Sequence, residues 1–251
     1  MGEITIKSVV VMIPTYNEAE NIGGLIRAIL DLPMDAGISV VVADDDSPDG
    51  TGRIVEGLAR EDQRVHVLIR KERRGRGSGG IDGFKAALEL RPDCIVEMDG
   101  DFSHQPRFIP DLVGALKNCD LAIGSRFVKG GKDADRGLHR KFITALVRWF
   151  IRRLFRFPVK DPSSGFRCFR TKVLETIDLD NMISVGPSIV LEVLDKASLL
   201  GFRISEVPIE FVNRKRGKTK LSLRILFETM IMAMRIKRRY KPGPEARGQA
   251  E

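Results

Sequence analysis

Asp99 and Asp101 flank a single glycine in "CIVEMDGDFSHQP", residues 94–106, where an apolar run stops. Like charges held that close repel, and each carboxyl takes up a proton unless a cation or a hydrogen-bond network compensates it. A metal ion is the simplest compensator. A solvated turn also uses Asp and Gly, so the pair alone leaves both readings open. A second acidic turn, "DDDSPDGT" from Asp44 to Thr51, shifts the balance. Two acidic loops opening on one crevice suit Mg²⁺ or Mn²⁺ held through one or two carboxylates and the phosphates of a nucleotide.

Strands must carry those loops. Short β-branched runs alternate with amphipathic stretches: "SVVVMI", then 18–30; "ISVVVA", then 51–60; "VHVLI", then 80–90; "CIVEM", then 107–117; "DLAIG". The alternation predicts an α/β chain with a mostly parallel, doubly wound sheet and helices on both faces. Ligands bind such sheets outside the carboxyl ends of the strands. "PTYNE" (Pro14 to Glu18), "DDDSPDGT", "DGD" and "GSR" (Gly124 to Arg126) follow the first, second, fourth and fifth runs, so four strand ends converge on one acidic and polar cleft.

Beyond residue 126 the rhythm changes. Residues 140–157, "RKFITALVRWFIRRLFRF", read as a helix with Lys141, Arg148, Arg152 and Arg156 on one face. Phe142, Leu146, Trp149, Phe150 and Leu154 lie largely elsewhere, and Pro158 ends it. A second apolar and basic helix is expected from about Leu221 to Arg239, and a disordered tail from Lys241. This divides the chain into a catalytic unit at 1–222 that includes the 140–157 helix, a basic amphipathic helix at 223–240 and a tail at 241–251. No internal repeat is present.

The 251 residues, 43% apolar, suffice for one large domain with a buried core. The net charge of +8 hides an asymmetry: residues 1–125 carry 14 Lys+Arg against 21 Asp+Glu, while 126–251 carry 28 against 13. An anionic partner for the second half follows. Cys94, Cys119 and Cys168 are odd in number and show no C-x-x-C spacing, which argues against a disulfide framework or a zinc site and for a reducing, cytosolic compartment. The first residues lack the pattern of a signal peptide. The longest largely apolar window, Ile225 to Met234, contains Glu228 and falls short of the ~20 residues of a membrane span.

"GRGSGG", residues 75–80, fits the G-x-G-x-x-G dinucleotide fingerprint, follows an expected strand and opens an expected helix. The basic residues between strand and glycines speak against a dehydrogenase and suit a basic loop near phosphates. Among Arg126, Arg140, Arg167, Arg214, Arg216 and Lys220, surface exposure is the ordinary fate. "SGFR" and "RKRGKTK" stand out because glycine and small hydroxyl residues there can expose backbone donors to an anion. His104 reads as a structural hydrogen-bonding residue. A nucleic-acid module would use the basic half, but one Trp and two Tyr offer little base stacking, and the acidic cleft repels phosphates without a metal. Nucleic acid is not an expected partner.

In order along the chain stand "VVVMIPTYNE", "DDDSPDGT", "MDGDFSHQP", "IGSRFVKGG", "RKFI", "DPSSGFRCF", "EVPIEF" and "RGKTKL". Over roughly residues 7–222 the sequence resembles the polyprenol (dolichol) phosphate mannosyltransferases of inverting glycosyltransferase family 2. The resemblance implies a glycosyltransferase A-type, Rossmann-like single domain with amphipathic interface helices. It implies transfer of mannose from GDP-mannose to a polyprenyl (dolichyl) monophosphate, with Mg²⁺ or Mn²⁺, giving a β-mannosyl phosphopolyprenol and GDP. By the resemblance Pro14, Tyr16, Glu18, Ala43 and Asp45 bind the donor nucleotide. Asp99, Gly100 and Asp101 match the D-x-D segment, with Asp101 the principal metal ligand and Ser103 where some members have a metal-binding glutamine. Arg126, Arg214 and Lys220 match cations gripping the donor phosphates, and Arg126 and Arg140 meet the acceptor phosphate. Gly100 replaces the usual alanine, and "RRGRGSGG" departs from the usual glycine-leucine-rich loop. The resemblance further implies peripheral attachment to the cytoplasmic face of a membrane, on anionic lipid, with room for a membrane-anchoring protein partner. Relatives using UDP-glucose share the scaffold, and the residues alone do not separate the donors.

Overall fold

The computed structural model describes residues 5–72, 75–133, 138–184, 186–212 and 223–240, without the side chains of 138–142 and 223–226. The first half alternates as the sequence predicts: β1 (Ser8–Thr15), α1 (Ala19–Leu30), β2 (Gly37–Asp44), α2 (Thr51–Glu61), β3 (Val65–Ile69), α3 (Arg76–Glu89), β4 (Cys94–Glu97) and, after a short 3₁₀ turn, α4 (Ile109–Ala115) and β5 (Leu121–Ser125). Then come β6 (Lys132–Asp133), α5 (Leu138–Phe155), β7 (Arg167–Arg170), α6 (Thr171–Thr176), α7 (Ile189–Leu199), β8 (Ile204–Pro208), β9 (Glu210–Phe211) and α8 (Leu223–Arg239).

β1 shows why the sheet forms. Side chains alternate along a strand, and here both faces are apolar. Val9, Val11 and Ile13 join one core cluster with α1 and α4. Val10 and Met12 join the other with α3, α5, α7 and α8. Such doubly covered strands belong inside a parallel sheet. On α1 the buried Ile22, Leu25, Ile26 and Ile29 keep the spacing of one helical face. Burying each such side chain contributes about 1.5–3 kcal/mol.

The seven-stranded sheet has the order β3-β2-β1-β4-β7-β5-β8. The chain steps outward from β1 through β2 to β3, then returns to place β4 on the other side of β1, parallel to it. The crevice between the carboxyl ends of β1 and β4 is therefore the switch point where ligands bind in open α/β sheets.

One strand breaks the expected rhythm. β7 runs antiparallel between β4 and β5, with Glu97 opposite Arg167 and Val96 opposite Cys168. The "SGFR" cation thus lies inside the protein, correcting the expectation that it faces an anion at the surface. Arg167 is 0% exposed. Its guanidinium donates to the carbonyls of Ser164 at 2.7 Å, Pro162 at 2.7 Å and Val190 at 2.5 Å. Burial pushes its pKa down to about 10, still far above neutrality. It clamps the segment before β7 to the start of α7.

α5 and α8 pack on one another. Ile151 and Phe155 of α5 and Ala233 and Ile236 of α8 enter the core, while Trp149 and Phe227 stay 64% and 65% exposed. Tyr240, just past α8, donates to Glu192 Oε1 at 2.8 Å and ties the helix end to α7. Among the described residues no helix is long and apolar enough to cross a membrane.

Replacing Arg167 by Met orphans three carbonyls and removes the charge opposite Glu97. Urea unfolding followed by fluorescence and circular dichroism should show a loss of roughly 3–5 kcal/mol; a loss below about 1 kcal/mol would mean the carbonyls find other partners.

Candidate active site

β4 stops at Glu97, and the chain turns across the crevice through Met98, Asp99, Gly100 and Asp101. Gly100 packs directly on the loop after β1. A Cβ there would stand 3.1 Å from Thr15 Cγ2 and 3.5 Å from Glu18 Cγ, so glycine gives the two loops their closest approach. The carboxylates differ in setting. Asp101 is 5% exposed and accepts from the Ser103 amide at 3.0 Å and the Ser103 hydroxyl at 2.5 Å. The Asp99 side chain is 40% exposed and lies 3.4 Å from Arg76 Nη2.

Three of the crevice loops carry a non-glycine residue in the left-handed region: Asn17 after β1, Asp46 after β2 and Phe102 after β4. An aromatic residue seldom adopts it, and such backbone persists where the surroundings over-determine it. Here the Phe102 ring packs beside Gly24 of α1.

Of the acids after β2, Asp44 is wholly buried and spent on the turn, accepting from Thr15 Oγ1 at 2.9 Å, the Ser47 amide at 2.8 Å and Ser47 Oγ at 2.6 Å. Asp45 accepts from the Gly75 amide at 2.7 Å and pairs with Arg70, which also reaches Asp82 at 2.8 Å. The glycine fingerprint therefore directs its first amide to a carboxylate of this protein. Pro14 is half-buried, Tyr16 is exposed, and Glu18 is buried and accepts from Asn21 Nδ2 at 3.0 Å. Ala43 is fully buried beneath Gly83 of α3.

Arg126 lies at the end of β5 with its guanidinium turned to Asp161. Nε and Nη2 meet the two carboxylate oxygens at 2.7 and 2.8 Å, and Nη1 stands outside that fork. Burial works against the charge, and Asp161 more than offsets it, so the pKa stays above the ordinary arginine value. Arg140 lies in α5, with its side chain outside the described residues, and Arg214, Arg216 and Lys220 also lie outside them.

His104 is buried, stacks on Phe166 at 5.0 Å and accepts the Asp99 amide on Nδ1 at 3.1 Å. Burial pushes its pKa down, against the pull of Asp99 and Asp101, leaving a neutral ring that shapes the acidic turn.

The sequence marks neither Asp161 nor Glu97 as a site residue, and it places Arg76 only within a basic loop near phosphates. Arg76 bridges Glu97 Oε1 at 2.8 Å and Asp99. Asp161 stands 35 residues from its partner, and only the polar "DPSSG" stretch marks the place. Glu97 interrupts an apolar strand, a signal that was legible.

Among the described residues no three His, Cys, Asp or Glu side chains converge to hold a metal alone. The donor set suits a hard cation that shares two carboxylates with a diphosphate.

The model of glycosyl transferase family 2 matches residues 10–178, a span holding every strand-end loop described above. The chain belongs to glycosyl transferase family 2. This family 2 glycosyltransferase is 39% identical over 227 residues to undecaprenyl-phosphate mannosyltransferase of Micrococcus luteus, covering 90% of this chain and 93% of that one. It is 37% identical to polyprenol monophosphomannose synthase of Mycolicibacterium smegmatis, covering 84% and 80%. It is 39% identical to dolichol-phosphate mannosyltransferase of Pyrococcus furiosus, covering 87% and 60%. Its fold matches glucosyl-3-phosphoglycerate synthase of Mycobacterium tuberculosis, solved with Mn²⁺, UDP-glucose and phosphoglyceric acid, at a TM-score of 0.67 and 20% identity, covering 92% and 78%. Mannosyl-3-phosphoglycerate synthase of Rubrobacter xylanophilus gives 0.64 at 19%, covering 98% and 76%. The fold is thus the glycosyltransferase A type, as the motifs implied.

Burial holds the His104 imidazole below the ordinary histidine pKa of about 6.5, so the unfolded chain binds the proton more readily. Its contribution to stability is present above that pH and is lost as pH falls below it. Unfolding midpoints in urea should drop between about pH 7 and about pH 5.5, and drop less in His104→Asn; equal slopes in both proteins would assign the effect to other groups.

Proposed function

We propose that this glycosyltransferase transfers mannose from GDP-mannose to the phosphate of a polyprenyl (dolichyl) monophosphate, with inversion at the anomeric carbon. The reading rests above all on the crevice that carries Asp99, Gly100 and Asp101 against the loop after β1, in a chain whose relatives are named for mannose transfer to polyprenyl phosphates.

Pro14, Tyr16, Glu18, Ala43 and Asp45 line the nucleotide side. Ala43 contributes backbone, since its methyl group is buried under α3. Asp101 and Asp99, with Ser103 beside them, would hold Mg²⁺ or Mn²⁺, which when bound supplies Lewis-acid stabilisation of the departing diphosphate. Mn²⁺ is bound together with a nucleotide sugar by the M. tuberculosis synthase of the same fold, which supports a divalent cation. Arg126 keeps Nη1 for a phosphate while Asp161 fixes its orientation, and Arg214 and Lys220 add charge against the donor diphosphate. Arg140 steers the acceptor.

The nucleophile is already an anion. A phosphate monoester has a second pKa near 6, so one of its oxygens attacks C1 as the bond from C1 to the donor phosphate breaks, and GDP departs. No general base is needed. His104, buried and neutral, is free for its structural task.

The acceptor tail is insoluble, so the enzyme must reach a bilayer. Leu146 and Trp149 of α5 and Phe227 and Met234 of α8 are exposed, and Arg152, Arg153, Arg238 and Arg239 are exposed on the same two helices. These side chains suit a peripheral site on anionic lipid at the cytoplasmic face. A membrane-anchoring protein partner would cover the same helices.

Radiolabelled mannose should pass from GDP-mannose to a short polyprenyl phosphate with Mg²⁺ or Mn²⁺, stop with EDTA, and be lost in Asp101→Ala. Near-normal turnover of that variant would remove the metal reading. Labelling only from UDP-glucose, the nucleotide sugar of the M. tuberculosis synthase, would keep the chemistry and change the donor.

Vesicles containing anionic lipid should float the protein at low salt, and a Trp149→Asp, Phe227→Asp double variant should stay in the pellet. Absence of flotation by the parent protein would assign these side chains to a protein contact.

A further inference from the structure

Arg76 enters the acidic crevice from the loop after β3. It is the first residue of α3, and its guanidinium lies across the end of β4, three-quarters buried. Nη2 donates to Glu97 Oε1 at 2.8 Å and reaches Asp99 Oδ1 at 3.4 Å. Two glycines make room for it. A Cβ on Gly80 would stand 3.3 Å from Nη1, and one on Gly165 would stand 3.4 Å from Nη2 and 3.9 Å from Asp99 Oδ1. Nη1 is buried and has no hydrogen-bond partner, although an unmet donor on a charged group is costly. Arg167, nearby, spends all three nitrogens on carbonyls.

We infer that Arg76 is a positioning residue, a resident counter-cation that couples binding of the divalent cation to binding of the nucleotide donor. This rests on Asp99 and Asp101 being the metal-holding pair of the proposed function. A fixed guanidinium 3.4 Å from Asp99 opposes the arrival of a second, doubly charged cation at the same carboxylate. A diphosphate arriving with the cation reverses the balance, because its negative charge offsets both. Metal and donor then raise each other's affinity by one common factor, as linkage requires. The site stays closed to a stray cation and fills when the donor is present.

Arg76→Gln removes the charge and retains a donor for Glu97, while Arg76→Lys retains the charge. The full chain is titrated with Mn²⁺, and the free ion is counted by its electron paramagnetic resonance signal, with and without GDP-mannose. Circular dichroism checks that each variant is folded. The wild type and Arg76→Lys should bind Mn²⁺ weakly alone and at least about tenfold more tightly with GDP-mannose. Arg76→Gln should bind Mn²⁺ alone about tenfold more tightly than the wild type, with little further gain from the nucleotide. Adding Asp101→Asn to that variant should abolish the gain. An Arg76→Gln affinity for Mn²⁺ alone within about twofold of wild type, or Arg76→Lys behaving like Arg76→Gln, would overturn the inference and leave the proposed function intact. No binding of Mn²⁺ by the wild type even with GDP-mannose would overturn the metal reading and this inference together.

Discussion

Three carboxylates, Glu97, Asp99 and Asp101, leave the end of β4 at every second position, and the walls of the crevice are arranged around that negative charge. Glu97 is buried within the sheet, where an uncompensated carboxylate would be severely destabilising. Compensation comes from two elements distant in sequence: Arg76 at the start of α3 and Arg167 opposite Glu97 on β7. A buried ion pair adds little net stability, but loss of either partner is costly. The charge cluster therefore does more to fix α3, β4 and β7 relative to one another than to raise the stability of the whole.

The same logic extends to the segment before β7. Its carbonyls are held by Arg167, and its Asp161 holds Arg126. One short stretch thus transmits the position of the β4 acids to the cation at the end of β5. Asp101 is enclosed while Asp99 faces the crevice. The first is ordered by its own turn, and the second is the more accessible to an incoming ligand.

α5 and α8 divide their apolar residues between two tasks. Ile151, Phe155, Ala233 and Ile236 complete the core, whereas Leu146, Trp149, Phe227 and Met234 are left outside. Arg148 lies 3.8 Å over the ring of Phe127, so one of the cations on the basic face of α5 packs against the loop after β5. An amphipathic pattern records which side chains avoid water; it does not record whether protein or lipid receives them.

The strand and helix rhythm of the first 125 residues, the four strand-end loops and the two acids around Gly100 were legible in the sequence, because side-chain periodicity and turn chemistry act over neighbouring residues. The ordered motifs also carried the family. Only the tertiary structure decided that β7 enters antiparallel between β4 and β5, that Arg167 is buried, that Arg126 is tied to Asp161 and that Arg76 stands over Asp99. The last two depend on groups 35 and 23 residues apart meeting in a site of low dielectric, and local patterns do not encode which distant charge will answer a buried one.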